Sequence, residues 1–313
     1  AYLSASGTAS TMATNPELSL STFKGSIAAL VTPFTDRGEV DLAAVDGLVD
    51  FHLENGTDGI VVAGTTGESA ALAQAEFSDL LARALQRVSG RIPVLAGTGS
   101  ASTSAAMDQT RRAAELGADA ALIVTPYYVR PEQAGLEAHF TAIADQSEIP
   151  LILYNVPSRT AVDMLPQTVA RLSLHPQIAG IKEAVPDCGR IDALVESCQK
   201  GFAIVIGDDR SCLRSMWHGA QGVISVAANA APGLVRALCA AALTENWSEA
   251  ERLDGRLQAL FEACMVESNP IPVKWALFEM GVARPHVRLP LTVLQHEHRA
   301  PLRECLAGLG LMT

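Results

Sequence analysis

Lysine is scarce in this sequence. The 313 residues include 19 arginines but four lysines, at positions 24, 182, 200 and 274. Positive charge is short overall, and the formal net charge of −11 argues against binding to nucleic acid or to anionic membranes. No apolar run reaches the roughly 18 residues that a membrane-spanning helix needs. Because 49% of the residues are hydrophobic, the composition is instead typical of a compact enzyme.

Cysteine pairing motifs and metal-ligand spacings are also missing. The six cysteines, at positions 188, 198, 212, 239, 264 and 305, form no CxxC and no paired framework. We interpret them as reduced core thiols of a cytoplasmic protein. His296 and His298 form an HxH pair, but in a predicted solvated loop far from any strand end. We therefore expect no metal site.

Residues 1–22 are rich in Ser, Thr and Ala and lack a periodic apolar pattern. They contain neither Arg nor Lys, which argues against a signal or transit peptide. The chain begins with Ala1, and Met12 is predicted to be the native start, with residues 1–11 appended to it. We expect residues 1–22 to form a flexible tail.

From Gly25 onward, short apolar runs alternate with helix-like segments. The eight runs are almost entirely apolar, as expected of strands buried on both faces: Ile27–Val31, Gly59–Ala63, Pro93–Ala96, Ala120–Val124, Leu151–Tyr154, Ile178–Ile181, Ala203–Ile206 and Gly222–Val226. This alternation predicts an α/β fold, a (β/α)8 TIM barrel over residues 23–245. No GxGxxG follows the first run, so a dinucleotide-binding fold is not indicated. The pattern after the barrel is purely helical, and residues 246–313 are predicted to form a C-terminal helical domain.

Lys182 is the lysine that ends a strand-like run, where a barrel places its chemistry. An amine held among apolar neighbours loses hydration, so its neutral form becomes available to attack a carbonyl group. Taken alone, Lys182 is better explained by a structural ion pair with Glu183 or another carboxylate. The residues at the other strand ends shift this balance.

Hydroxyl groups are concentrated at the predicted strand ends. Three of the four tyrosines lie there, Tyr127 and Tyr128 after the fourth run and Tyr154 at the end of the fifth. The segment Gly64-Thr65-Thr66-Gly67 after the second run offers two hydroxyls and a backbone that a ligand can approach closely, which indicates a carboxylate or oxyanion cradle. Arg159, after the fifth run, suits bidentate binding of a substrate carboxylate, although a surface ion pair explains it equally well.

Together these residues predict a cofactor-free active site for Schiff-base chemistry on a 2-oxo acid. The lysine amine forms an imine with the ketone in this hypothesis. The iminium then acts as an electron sink, so that the neighbouring carbon becomes an enamine nucleophile. The residues do not identify the second substrate.

The same stretches resemble the 4-hydroxy-tetrahydrodipicolinate synthase (dihydrodipicolinate synthase) family, over about Phe23 to Leu311. The segments that carry the resemblance are Gly25–Ile27, Gly64–Ser69, Gly97–Gly99, Val124–Tyr128, Leu153–Thr160, Gly180–Ala184, Gly222–Val226 and Asn269–Lys274. The resemblance implies a lyase of diaminopimelate and lysine biosynthesis that condenses pyruvate with L-aspartate 4-semialdehyde through a lysine–pyruvate imine, without a cofactor.

The resemblance also implies roles for single residues. The implied catalytic residues are Lys182, Tyr154, Thr66 and Tyr128. The implied substrate-binding residues are Thr65, Thr66, Arg159, Gly207 and Ile224. Lys182 would form the imine, the two tyrosines and Thr66 would relay protons, and Arg159 would hold the semialdehyde carboxylate. A homotetramer is implied, a dimer of dimers in which Tyr128 reaches across the dimer interface into the neighbouring site.

Two alternatives stay open. Lyases of the N-acetylneuraminate lyase type share the lysine and the tyrosine of YNxP, but Thr65-Thr66 and Ser158-Arg159-Thr160 favour the synthase. A barrel that binds oxo acids without catalysis is the alternative from another class. Reductive trapping with pyruvate and borohydride separates an enzyme from such a binding protein.

The sequence departs from lysine-inhibited members of the family at an allosteric cleft near the dimer interface. The departing positions are Gln74, Phe77, Ala101 and Ala105, whereas Ser69, Ala70 and Tyr127 are kept. Without a carboxamide and a carboxylate at Ala101 and Ala105, the ammonium groups of lysine lose their partners. We predict weak or absent feedback inhibition by L-lysine.

Overall fold

The protein, represented by a computed structural model that describes residues 23–312, forms a closed barrel of eight parallel strands with C-terminal helices. The strands are β1 (Gly25–Ala29), β2 (Gly59–Val62), β3 (Val94–Gly97), β4 (Ala120–Val124), β5 (Leu151–Asn155), β6 (Ile178–Glu183), β7 (Ala203–Ile206) and β8 (Gly222–Ser225). Each strand pairs with its neighbours in sequence, and β8 closes the barrel on β1. The predicted (β/α)8 barrel is confirmed, although β1 begins at Gly25 rather than at Ile27.

Helices cover the outside of the barrel and build its C-terminal extension. They are α1 (Leu42–Glu54), α2 (Gln74–Val88), α3 (Thr103–Leu116), α4 (Gln133–Ala144), α5 (Pro157–Thr160), α6 (Pro166–Leu172), α7 (Cys188–Ser197), α8 (Cys212–Trp217), α9 (Pro232–Leu243), α10 (Trp247–Ala263), α11 (Ile271–Glu279) and α12 (His296–Gly308). The loop predicted at His296 and His298 is wrong, because both lie in the first turn of α12.

Side-chain caps explain where several helices begin. The Asp41 carboxylate accepts a hydrogen bond from the backbone N–H of Ala44 at 3.1 Å, before α1. Ser102 accepts from the N–H of Ala105 at 3.4 Å, before α3. Such caps satisfy amide groups that the helix itself leaves unpaired. The caps therefore fix where α1 and α3 begin, and so where the loops after β1 and β3 end.

Two hydrophobic clusters divide the core. The inner cluster fills the barrel with side chains from alternate strand positions: Phe23, Ile27, Ala29, Val61, Leu95, Ala120, Leu122, Ile152, Tyr154, Val156, Ala179, Ala203, Val205 and Ile224. The outer cluster packs the other strand faces against the helices. Since the barrel interior is filled, a small molecule finds room at the end of the barrel rather than along its axis.

The cysteine interpretation holds in part. Among residues 23–312 all six cysteines are free, but Cys188, Cys198 and Cys305 are partly exposed rather than in the core. No helix in this part of the chain is long and apolar enough to cross a membrane. The predictions for residues 1–22 lie outside the described residues, and the division at residue 246 stays a prediction.

Candidate active site

A cavity opens at the carboxyl end of the strands. Its lining residues are Ala29, Val61, Ala63, Gly64, Thr65, Thr66, Ser69, Gly97, Gly99, Leu122, Val124, Tyr154 and Lys182. The empty space measures about 420 Å³, part of it continuous with solvent. The structure thus brings together four residues selected from the sequence, Lys182, Tyr154, Thr65 and Thr66, in the place where such barrels bind their ligands.

A bulge in β6 turns Lys182 into the barrel. Along this pair of strands Leu151 lies opposite Ile178, but the next residue, Ile152, lies opposite Gly180, so β6 contains one extra residue. Ile178 and Ile181 both pack in the outer cluster, which strict alternation does not allow for residues three apart. Without the extra residue, Lys182 would face the helices. The strand continues to Glu183, so Lys182 is its second-to-last residue rather than its last.

Lys182 and Tyr154 face each other across β5 and β6. The two residues are register partners, and Lys182 Nζ lies 4.3 Å from the centroid of the Tyr154 ring. Lys182 is 5% exposed and Tyr154 is 7% exposed. Within residues 23–312, Lys182 forms no salt bridge and its amine makes no hydrogen bond to another protein group, so no protein partner competes with a substrate for the amine.

Glu183 has a different partner from the one considered in the sequence. Its carboxylate accepts from Arg190 Nε at 2.7 Å and from Asn155 Nδ2 at 3.1 Å, and Arg190 also pairs with Asp163 at 2.9 Å. Burial raises the pKa of the Glu183 carboxyl, which Arg190 opposes. Lys182 and Glu183 therefore point to opposite faces of β6. Glu183 forms its ion pair with Arg190 rather than with Lys182.

The loop after β2 presents Thr65 and Thr66 to the cavity. Thr66 is buried, and its Oγ1 lies 2.9 Å from Asn269 Nδ2. Glu68 follows in a left-handed backbone conformation with φ of +53°. Its buried carboxylate forms a salt bridge with Lys274 of α11 and accepts from the Arg288 N–H at 2.9 Å. Helix α11 and Arg288, which follows it, thus hold this loop in place.

Gly207 leaves room for the lysine. A Cβ atom at this position would lie 2.7 Å from Lys182 Cε and 2.9 Å from Ala184 Cβ, closer than real contacts allow. Any side chain there would push the Lys182 chain aside. Ile224, the other residue named for the substrate site, lies in the inner cluster with 1% exposure.

Tyr128 and Arg159 are not brought into the cavity of their own chain. Tyr128 is 91% exposed and has a backbone φ of +71°, which for a bulky residue is strained. Arg159 is exposed on α5, and its Nη2 lies 3.5 Å from the backbone carbonyl of Asn269. No carboxylate among residues 23–312 pairs with Arg159, so the surface ion pair considered for it is absent from the described part of the chain.

Asn269 and Lys274 are neighbours of the site that sequence reasoning missed. Both lie in the segment Asn269–Lys274, which carried part of the family resemblance. That resemblance was the one signal in the sequence that could have pointed to them. Their contacts with Thr66 and Glu68 join residues about 200 positions apart. The part of the chain that the structure describes contains no group of three or more His, Cys, Asp or Glu placed to hold a metal ion.

Known proteins resemble the chain over most of its length. The sequence model of the Dihydrodipicolinate synthetase family matches residues 22–308. A 4-hydroxy-tetrahydrodipicolinate synthase of Stenotrophomonas maltophilia is 50% identical over 284 residues, 91% of this chain and 95% of that protein. The structure of the Acinetobacter baumannii dihydrodipicolinate synthase complexed with pyruvate has a TM-score of 0.91 and 45% identity, covering 92% of this chain and 99% of that one.

A third relative has been solved with lysine bound. The lysine-bound enzyme of Cyanidioschyzon merolae has a TM-score of 0.90 and 38% identity, covering 93% of this chain and 99% of that one. Such identities over nine-tenths of the sequence go well beyond a shared barrel. The chain belongs to the dihydrodipicolinate synthetase family.

Proposed function

We propose that Lys182 forms an imine with pyruvate and that Tyr154 transfers the protons of this step. The chain carries 4-hydroxy-tetrahydrodipicolinate synthase activity, that of a lyase in diaminopimelate and lysine biosynthesis. The observation that supports the roles of these two residues is their placement, with a buried amine 4.3 Å from the ring of a buried tyrosine in a cavity edged by threonines.

The chemistry follows from these contacts. The amine attacks the pyruvate ketone, and the hydroxyl that forms leaves as water once it has been protonated. The iminium makes the methyl protons acidic, so that loss of one gives an enamine. The enamine carbon attacks the semialdehyde carbonyl, and the amino group of this second substrate then displaces Lys182. In this proposal Tyr154 lies beside the reacting nitrogen in every step and transfers protons to and from the substrate, and Thr66 relays protons to and from Tyr154.

The choice between a synthase and a longer-chain aldolase rests on the second substrate. A coupled assay should show turnover of aspartate semialdehyde with pyruvate and at most trace turnover of longer sugar-derived aldehydes. A preference for the longer aldehydes would favour the N-acetylneuraminate lyase type of reaction. A cytoplasmic location stays a prediction from the unpaired cysteines.

Arg159 is proposed to hold the carboxylate of the semialdehyde. Its guanidinium is exposed near the mouth and has no carboxylate partner among residues 23–312. Arg159→Ala should raise the KM for the semialdehyde at least about tenfold, since a charge-assisted bidentate contact is lost. Pyruvate should still form the trapped imine. Arg171→Ala, which removes an exposed arginine on α6, is the matched control; an unchanged semialdehyde KM in Arg159→Ala would contradict this role.

Tyr128 is proposed to act in the site of a neighbouring subunit within a dimer, itself half of a homotetramer. Its 91% exposure on a strained backbone fits a side chain that extends into a partner. Two inactive variants, Lys182→Ala and Tyr128→Ala, should therefore complement each other when mixed after mild dissociation. Each heterodimer contains one site with both groups intact, so activity should recover to about a quarter of the wild-type value.

The control for this experiment is each variant taken alone through the same treatment. If Tyr128 acted in its own chain, every site of the mixture would lack one group. No recovery in a mixture shown to contain heterodimers would therefore contradict the proposal.

Weak binding of L-lysine is the expected regulatory property. Phe77 is 3% exposed and packs in the outer cluster, so it offers no polar group to a cleft. The methyl side chains of Ala101 and Ala105 offer no oxygen that could accept a hydrogen bond from an ammonium group. Calorimetry should detect no micromolar binding of L-lysine, and the double variant Ala101→Asn, Ala105→Glu should bind more tightly. Micromolar binding by the unaltered chain would refute the prediction.

A further inference from the structure

Asn269 lies between the Thr65–Thr66 loop and Arg159. Its side-chain Nδ2 is 2.9 Å from Thr66 Oγ1, and its backbone carbonyl is 3.5 Å from Arg159 Nη2. The residue is 8% exposed, and its amide oxygen Oδ1 is buried with no hydrogen-bond partner among residues 23–312. Asn269 therefore contacts a proposed proton-relay group while one of its own polar atoms is left unpaired.

The unpaired amide oxygen costs stability. A buried acceptor without a partner is destabilising because it has lost its hydrogen bond to water, and a leucine of similar size would avoid this cost. Unsatisfied groups of this kind are rare in native proteins and are retained mainly where they serve a function. Here the benefit lies at the nitrogen end of the amide, because Nδ2 can only donate and Thr66 Oγ1 must therefore accept.

We propose that Asn269 is a positioning residue that fixes the direction of the Thr66 hydroxyl. By accepting from Asn269, the Thr66 oxygen keeps its own proton for the opposite side, where the residue lines the cavity with Tyr154 and Lys182. No other protein group among residues 23–312 accepts that proton. The inference rests on the proposed function, in which Thr66 relays protons for Tyr154.

The variant Asn269→Asp tests the direction of this hydrogen bond. An ionised carboxylate has the same shape as the amide but can only accept, so the Thr66 hydroxyl would donate its hydrogen bond to the introduced carboxylate and the direction of the bond would be reversed. kcat should fall about 100-fold, the lower end of what a positioned proton-transfer group contributes. The KM for pyruvate should change little. Asn246→Asp, the same change at the exposed cap of α10, should leave kcat unchanged because aspartate caps helices equally well.

The pH profile distinguishes positioning from a structural role. Below the pKa of the introduced carboxyl, its O–H can donate to Thr66 again. The ratio of variant to wild-type kcat should therefore rise as the pH falls, and burial raises the pKa at which this occurs. In Asn269→Leu, which cannot donate at any pH, the ratio should stay low and flat, while the unfolding midpoint is unchanged or higher.

The outcomes are distinct. Wild-type kcat in Asn269→Asp would mean that the amide accepts from Thr66, and the proposal would be overturned. If Asn269→Asp does not fold, Asn269→Leu decides, because retained kcat in that variant overturns the proposal equally. Failure of the unaltered chain to form a borohydride-trapped pyruvyl adduct on Lys182 would instead remove the proposed function on which the inference rests.

Discussion

Replacing Lys182 with alanine should abolish the pyruvyl adduct and all measurable turnover. The amine is the nucleophile of the proposed covalent step, and the other groups of the cavity, hydroxyls among apolar side chains, cannot form an imine. Mass spectrometry after borohydride reduction with pyruvate should locate the adduct on Lys182 in the unaltered chain. In Lys182→Ala no adduct should form at all.

Lys200→Ala is the matched control for this change. Lys200 is exposed, and its removal tests whether adducts arise from surface amines. This variant should keep both adduct and turnover. An adduct that persisted in Lys182→Ala, or that mapped to another lysine in the unaltered chain, would contradict the proposed chemistry.

The strands were predictable from the sequence because each is a short apolar run buried on both faces. All eight runs overlap strands of the barrel, and their order around it follows the order in the chain. The closure of β8 on β1 follows from the number of runs, since eight parallel strands with intervening helices close into a barrel. The local sequence pattern was sufficient to predict the strands because each buried strand consists of apolar residues.

The direction of Lys182 was not predictable in the same way. Strict alternation from Ile178 would have turned the lysine toward the helices, and the extra residue at Ala179–Gly180 corrects this. The bulge requires a glycine at position 180, because the Cβ atom of any other residue would lie 2.5 Å from the Ala203 carbonyl oxygen. The strand end was therefore visible in the sequence, whereas the face that Lys182 occupies depends on a pairing between two strands.

The support of the threonine loop was also hidden from local pattern. Asn269 and Lys274 reach Thr66 and Glu68 across about 200 residues of chain, and no periodicity relates such positions. In the sequence, Lys274 is only one residue within the region 246–313, which is predicted to be helical. Its burial and its pairing with Glu68 arise only when α11 packs beside the loop after β2.

Lys274→Met should destabilise the protein more than any surface substitution. Lys274 is 1% exposed, and its amine pairs with Glu68, donates to the His286 carbonyl at 2.8 Å and lies 4.1 Å from the centroid of the Phe34 ring. Burial lowers the pKa of this amine to about 8, against the opposing effect of Glu68, so Lys274 remains mainly protonated at neutral pH. Removing it leaves a buried carboxylate without its counter-charge.

Loss of one partner of a buried pair costs about 3–5 kcal/mol, and denaturant unfolding should show a decrease of this size in the free energy of unfolding. Activity should fall too, because Glu68 ends the loop that carries Thr66. Adding Glu68→Gln to Lys274→Met removes the unpaired charge, so part of the lost stability should return. Arg252→Met, which breaks an exposed ion pair with Glu249, should leave the unfolding midpoint unchanged. If Lys274→Met were as stable as the unaltered chain, α11 would not be holding the loop after β2 through the pair of Lys274 and Glu68.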